Sequence, residues 1–447
     1  MKERLVLFIL VAGLTTFLYV FQFQYNTILG LLLLIAGMTL YLIYSNIATK
    51  HKKRQLKKNP QIINPDYKPF VSVMIPAHNE DSVIADTVSN VLQMDYPNFE
   101  VIVIDDRSDD NTANVVRQLA SEHPEKVIAM IRDKDAYPGK SAVLNDAMQI
   151  AKGEAILVFD ADARVDSDFL SKLIPNLEPE DVGACQARKI VSNKNYNFLT
   201  RCQNNEMTLD THVQVGRDAI KGAVELRGDG ELIKRKAIED IGGWNNETIT
   251  DDLDMSTRLH LKGWDVRFIP EAKVYEEAII YWMPLFRQRR RWLEGSIRRY
   301  LEYFGDVLTS RDMSLRAGLD MTAYIFEFLM PFWCIMEILL RIIKFAMGKI
   351  PAYSISNLLC LFVGIVIALG FTIAIHYAIR KYDNVPRKEA LIQAVETSAY
   401  FLAIWFPMML FILCKILFCK KSMAWGKTTH GLIQEEEDNI QKQKAKV

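Results

Sequence analysis

The sequence predicts an α/β domain, a parallel sheet covered by helices on both faces, set between groups of membrane-spanning helices. Three observations predict it. Strand and helix patterns alternate from Phe70 to Phe159, the order that builds parallel sheets. Long runs almost free of charge stand near both ends of the chain, as hydrocarbon-crossing helices require. Carboxylates close several of the apolar strands, in VIVIDD, FDADAR and ITDDLD, and buried acid is costly unless it binds something.

Composition supports the membrane part. Hydrophobic residues make up 50% of the 447 residues, and the mean hydropathy is +0.03. Lys+Arg and Asp+Glu are both 54, so the formal net charge is +0. That balance lacks the basic excess of a nucleic-acid binder. Six cysteines are scattered without CxxC or Cys/His zinc spacing. Cys334, Cys360 and Cys414 lie in apolar runs, and Cys185 and Cys202 read as reduced thiols of a cytosol-facing domain.

Leu5 to Phe23 and Thr27 to Tyr44 are each about long enough to cross ~30 Å of hydrocarbon. The charged start MKER resembles a signal-peptide front, but no small-residue cleavage site follows, so a helical hairpin is expected. The basic block HKKRQLKK, His51 to Lys58, places the following domain in the cytoplasm by the positive-inside rule. Asn59 to Pro69 holds three prolines and reads as a linker.

Strands are expected at Phe70–Ile75, Phe99–Ile104, Lys126–Ile131 and Ala155–Phe159, and helices at Asp81–Met94, Thr112–Glu122 and Ser141–Lys152. Beyond Gly183, Asn197–Asp218 has helical spacing and Leu226–Arg235 is a glycine-bearing loop. A short helix ends at Gly242, Asp252–Lys262 is a helix led by acids, and DVRFIPEA is a strand. Arg287–Tyr303 is a basic helix suited to a membrane surface. Three apolar runs follow, Met321–Ile343, Ile355–Ala378 and Thr397–Phe418. Three full crossings would carry the tail outside, against the cytoplasmic mark of Lys415, Lys420 and Lys421; Pro407 inside the last run offers a break there. The chain thus divides into 1–58, a membrane hairpin with its basic flank; 59–310, a cytoplasmic α/β domain with an interfacial helix; 311–425, membrane helices; and 426–447, a polar, disordered tail.

Ligands of such sheets bind beyond the carboxyl ends of the strands, where Glu80, Asp105, Asp106, Asp160 and Asp162 fall. Asp160 and Asp162 are two apart, and strand period would point both to one side. Paired hard oxygens suit Mg²⁺ or Mn²⁺ held jointly with a diphosphate. Asp105, Asp106 and Glu80 suit acceptance from a base N–H or ribose hydroxyls. Gly139-Lys140 opens a helix where Lys140 can meet a phosphate, yet no GxxxxGK[ST] precedes it. Asp251 and Asp252 read either as helix-dipole acids or, for Asp252, as a general base. In RQRRRW, Gln288, Arg291 and Trp292 offer forked donors and a flat aromatic face, or form a juxtamembrane basic patch.

Together PAHNE, DD, DAD, TDD and QRRRW resemble the fingerprint D, DxD, TED, QxxRW of membrane-bound family 2 glycosyltransferases. That group includes cellulose, hyaluronan and poly-N-acetylglucosamine synthases. The resemblance spans roughly Phe70 to Tyr303. It implies a GT-A fold, a Rossmann-like mixed sheet with helices on both faces, and an inverting, metal-dependent enzyme using a UDP-sugar. It further implies that Glu80, Asp105 and Asp106 hold the uridine, with Lys140, Asp160 and Arg291 at the nucleotide-sugar. Asp160 and Asp162 would hold Mg²⁺ or Mn²⁺, and Asp252 would be the base. Gln288, Arg291 and Trp292 would close over diphosphate and acceptor, with Asp251 and Trp292 touching the acceptor. The third motif departs from the pattern, with Asp251 in place of Glu.

Three longer stretches, AVELRGDGELIKR, IGGWNNETITDDLDMSTRLHLKGWD and RRRWLEGSIRRYLEYF, resemble the bacterial β-monoglucosyldiacylglycerol synthases. They imply glucose transfer from UDP-glucose to diacylglycerol in a multi-pass protein of the cell membrane, its catalytic domain cytoplasmic. A processive polysaccharide synthase is the alternative. A catalytically dead scaffold would be marked by loss of Asp162 or Asp252, and both are present.

Overall fold

A computed structural model describes residues 2–20, 29–58, 64–349 and 355–419. The junction between the first two apolar runs, residues 59–63 of the expected linker, Lys420 and Lys421, and the tail lie outside these residues. The chain begins with α1 (Lys2–Leu18) and α2 (Leu29–Lys58), then β1 (Val71–Ala77), α3 (Ile84–Val91), β2 (Phe99–Asp105), α4 (Thr112–Glu122), β3 (Val127–Ile131) and α5 (Lys140–Met148). It continues through β4 (Ala155–Val158), β5 (Arg164–Val165), α6 (Phe169–Leu177), β6 (Val182–Val191), α7 (Phe198–Ile220), β7 (Glu231–Lys234), α8 (Arg235–Asp240) and α9 (Asp251–Leu261). β8 (Asp265–Glu276), α10 (Trp282–Thr309), α11 (Leu315–Ala346), α12 (Ile355–Tyr382) and α13 (Arg387–Phe418) complete it.

These elements form two compact units. One holds Ile63–Thr200 and Glu225–Gln288; the other holds Met1–Ile62, Arg201–Val224 and Arg289–Ser422. The α/β unit is a single sheet in the order β3-β2-β1-β4-β7-β6-β8-β5. β1 and β2 are buried at every position, which explains their unbroken apolar runs. Alternate residues of β1, β2 and β4 (Val73, Ile75, Val101, Val103, Leu157) form one cluster with Ile84 and Val88 of α3, Val116 of α4 and Phe169 and Leu173 of α6. α5 packs against β1 and β2. Each fully buried aliphatic side chain contributes ~1.5–3 kcal/mol, so a core of this size tolerates costly acids at its edge.

The expected parallel sheet is found in β3-β2-β1-β4. The other half is mixed: β7 runs antiparallel to β4 and β6, β5 antiparallel to β8, and β6 parallel to β8. Three sequence expectations change. The loop expected over Leu226–Arg235 ends at Gly230, because Glu231–Lys234 is drawn into the sheet between β4 and β6. Asp160 and Asp162 do not share a strand face by period two, since β4 ends at Val158 and Asp162 sits in the turn before β5. Pro407 does not break the last apolar run: α13 is continuous through it and starts at Arg387, ten residues early. Its first turns are charged in sequence but bury Ala390 and Ala394.

In the helical unit, α11, α12 from Asn357 and α13 are long and apolar enough to cross a membrane. Polar staples bind this unit. Asp320 of α11 accepts from Tyr41 Oη at 2.9 Å and Ala223 N at 2.8 Å and pairs with Arg217 at 3.3 Å. Asp383 accepts from Asn204 at 3.1 Å and Thr208 at 2.8 Å.

Candidate active site

The acids gather where the sheet's strands end. Asp105 closes β2 beside Ala77 of β1. It is buried, and its Oδ1 has no hydrogen-bond partner among the described residues. Asp106 faces inward. It is fully buried and bound by Arg107 Nε at 2.9 Å and Arg132 Nη1 at 2.5 Å. Arg132 also holds Asp146 at 2.7 Å. Asp106 therefore fixes the edge from behind, and Asp105 presents the open acceptor. Glu80 follows β1, and its backbone N–H is anchored on Thr112 Oγ1 at 2.8 Å.

β1 separates β2 from β4, so Asp160 stands about 10 Å along the edge from Asp105. β7 beside β4 brings in residues the sequence reading missed. Asp160 N donates to Asp229 Oδ1 at 3.2 Å, and Gly230 N to Val158 O at 3.0 Å. Lys140, the first residue of α5, reaches Asp160 Oδ1 at 2.6 Å and Gly228 O at 2.7 Å. It meets the first acid of the DAD triplet, not an open helix terminus. Lys189 of β6 pairs with Glu276 at 2.5 Å. Gly228 N donates to Glu231 Oε2 at 3.3 Å.

Asp251 and Asp252 begin α9 within reach of this cluster. Asp252 Oδ1 accepts from Leu253 N at 2.8 Å. A Cβ placed on Gly228, whose φ is +76°, would lie 3.3 Å from Asp252 Oδ2, so that carboxylate rests on bare backbone. Burial, then the charge of Asp251, pushes the Asp252 carboxyl up to about 6, against the Leu253 amide, Lys140 and Arg227.

Asp229 and Glu231 are likewise held well above the usual carboxyl range, first by burial. Asp160 and Asp162 add to the shift of Asp229, and Asp252 and Asp251 to that of Glu231. Burial works against the charge on Lys140, but Asp160, Asp251 and Glu231 outweigh it and hold the ammonium above its ordinary range.

Asp229 Oδ2 and Asp251 Oδ2 are buried without hydrogen-bond partners among the described residues. Among the described residues no three His, Cys, Asp or Glu side chains cage an ion alone. A surplus of buried carboxylate of this kind fits a divalent cation that takes its other ligands from a bound diphosphate. The overlooked acids did leave a sequence signal: in GDGE, glycines with φ of +76° and +68° flank Asp229, a spacing that lets backbone approach closely.

The basic motif divides between the units. Gln288 ends the α/β unit and is half-buried, whereas Arg291 and Trp292 are half-buried in the helical unit. All three lie on α10 at positions i, i+3 and i+4, one helix face.

A half-parallel, half-mixed sheet with a paired-acid turn at its strand ends and half-buried carboxylates beside it has the architecture of a GT-A-type sugar transferase. Residues 68–295 match the family described as glycosyltransferase like family 2, and the chain belongs to that family. It is 36% identical over 372 residues, 81% of this chain and 76% of the relative, to a β-monoglucosyldiacylglycerol synthase of Trichormus variabilis. A poly-β-1,6-N-acetyl-D-glucosamine synthase of Staphylococcus epidermidis is 28% identical over 247 residues, 55% of this chain and 59% of the relative. The fold is shared with the mannosyltransferase PcManGT of Pyrobaculum calidifontis, solved with GDP-Man and Mn²⁺: TM-score 0.58, 22% identity, 83% of this chain and 99% of that one.

Proposed function

We propose that the protein is a multi-pass enzyme of the cell membrane whose cytoplasm-facing α/β unit moves glucose, with inversion, from UDP-glucose to 1,2-diacylglycerol. The product is β-monoglucosyldiacylglycerol. The observation that carries the chemistry is Asp252, a half-buried carboxyl pushed up to about 6 beside bare Gly228. A base with that affinity takes a proton from a hydroxyl more readily than an ordinary surface acid. The acceptor rests on the β-monoglucosyldiacylglycerol synthases, matched over 81% of this chain.

In this reading Asp105 and Glu80 accept from the uridine, and Asp106 stiffens the strand end through Arg132. Asp160 and Asp162, backed by Asp229, would hold Mg²⁺ or Mn²⁺, which when bound would supply charge stabilisation for the departing diphosphate. Lys140 orients Asp160. The acceptor's O–H proton passes to Asp252 as its oxygen bonds the anomeric carbon and the bond from that carbon to the UDP oxygen breaks. Gln288 and Arg291 donate to the diphosphate, and Trp292 and Asp251 contact the acceptor.

Membranes bearing the protein, given radiolabelled UDP-glucose and diacylglycerol, are expected to yield a chloroform-soluble product cleaved by β-glucosidase. Label in an alkali-insoluble polymer would refute the lipid reading. It would favour a processive glycan synthase, as the match to a poly-N-acetylglucosamine synthase over 55% of the chain allows. EDTA is expected to abolish transfer and Mn²⁺ or Mg²⁺ to restore it. Asp162→Ala should weaken Mn²⁺-dependent UDP binding in calorimetry. Undiminished metal-dependent binding in that variant would move the metal elsewhere.

A further inference from the structure

Arg289 sits inside the basic motif but is not one of its expected ligand-facing residues. Its neighbours Arg287 and Arg290 are exposed, whereas Arg289 is 1% exposed. Its guanidinium carbon lies 4.3 Å from the centre of the Trp292 ring, one helical turn on. Its Nε and Nη2 reach Glu206 Oε2 of α7 at 3.2 and 3.1 Å. The same oxygen accepts from Tyr400 Oη of α13 at 3.0 Å. Three helices of one unit thus converge on a single carboxylate, and that carboxylate aims a cation at the indole.

Stability alone does not call for this arrangement. A buried ion pair is often no better than an apolar replacement of similar volume. A guanidinium stacked on an aromatic face does fix the plane of the ring. We propose that Arg289, held by Glu206 and Tyr400, is a positioning residue that sets the Trp292 indole for the acceptor. The proposal rests on the reading of Trp292 as acceptor-facing. Acceptor binding should therefore depend on this linkage, and donor binding should not.

The test is a double-mutant cycle on the full chain in lipid nanodiscs, with UDP-glucose as donor and a bacterial membrane-lipid extract as acceptor pool. Arg289→Lys and Glu206→Gln should each raise the acceptor KM on the order of tenfold, with UDP affinity unchanged. Tyr400→Phe should act in the same direction, more weakly. Combined with Trp292→Phe, Arg289→Lys should add nothing beyond about twofold. Effects that multiply, or a loss confined to thermal stability with both KM values unchanged, would overturn the proposal. If Trp292→Phe itself leaves the acceptor KM unmoved, the underlying assignment of Trp292 fails instead. Should Arg289→Lys not fold, the cycle is closed with Glu206→Gln.

Discussion

At the scale of the residue, Asp252 carries two linked consequences. It must be ionised to receive a proton, and its carboxyl lies at about 6 where the ordinary value is 3.8. Transfer should therefore be flat above that pH and fall by about tenfold per unit below it. For stability the sign runs the other way. Between 3.8 and about 6 the folded chain binds this proton more tightly than the unfolded chain, so the contribution of Asp252 declines as pH rises through that window. At neutral pH its partly desolvated charge is a cost. Asp252→Asn should lose transfer by ~10²–10⁴, keep UDP binding, and melt at an equal or higher temperature. A lower melting temperature together with normal turnover would make Asp252 a structural acid. The acids at strand ends were legible in the sequence because a buried carboxylate is costly without a partner. The inward turn of Asp106 was not, because Arg132 stands 26 residues away and only folding joins them.

At the scale of the element, the loop from Arg227 to Gly230 joins the site's parts. It receives Lys140 on the Gly228 carbonyl, gives the Gly228 amide to Glu231, and leaves room for Asp252. Gly228→Ala would force a side chain into left-handed backbone, costing about 1–2 kcal/mol, and set a methyl 3.3 Å from Asp252 Oδ2. Gly242 supplies the control: its φ is +80° and nothing lies within 4 Å of an added Cβ. Both variants should lose similar thermal stability, but only Gly228→Ala should lower kcat. Equal activity in the two would mean that Asp252 does not need that space. α4 matched its sequence pattern residue for residue. β7 did not, because a four-residue segment has too few alternations to announce itself, and its pairing with β4 and β6 is what makes it strand.

At the scale of the whole molecule, hydropathy shows which helices suit a bilayer but not which of them cross it. α13 is apolar enough to span, yet polar contacts tie it to α7 near its start and to α10 near its end. Near its start, Arg201 of α7 pairs with Glu396 at 3.1 Å and Asn205 donates to Thr397 at 2.9 Å. Near its end, Lys415 meets Glu294 of α10 at 2.6 Å, and Glu294 and Glu3 both bind Arg298, at 3.0 and 2.7 Å. α7 and α10 are themselves joined through Glu206 and Arg289, and from both the chain passes directly into the α/β unit. Ion pairs avoid lipid-exposed hydrocarbon, so each end of α13 is expected at an aqueous boundary or inside the helix bundle. If both ends share one boundary, α11 and α12 would make an out-and-back pair and the odd crossing of the sequence reading would be removed. A variant retaining Cys419 as its only cysteine should react with an impermeant maleimide in inside-out vesicles and resist it in right-side-out ones. Labelling in the opposite sense would put α13 through the bilayer and require its polar contacts with α7 and α10 to form within the membrane.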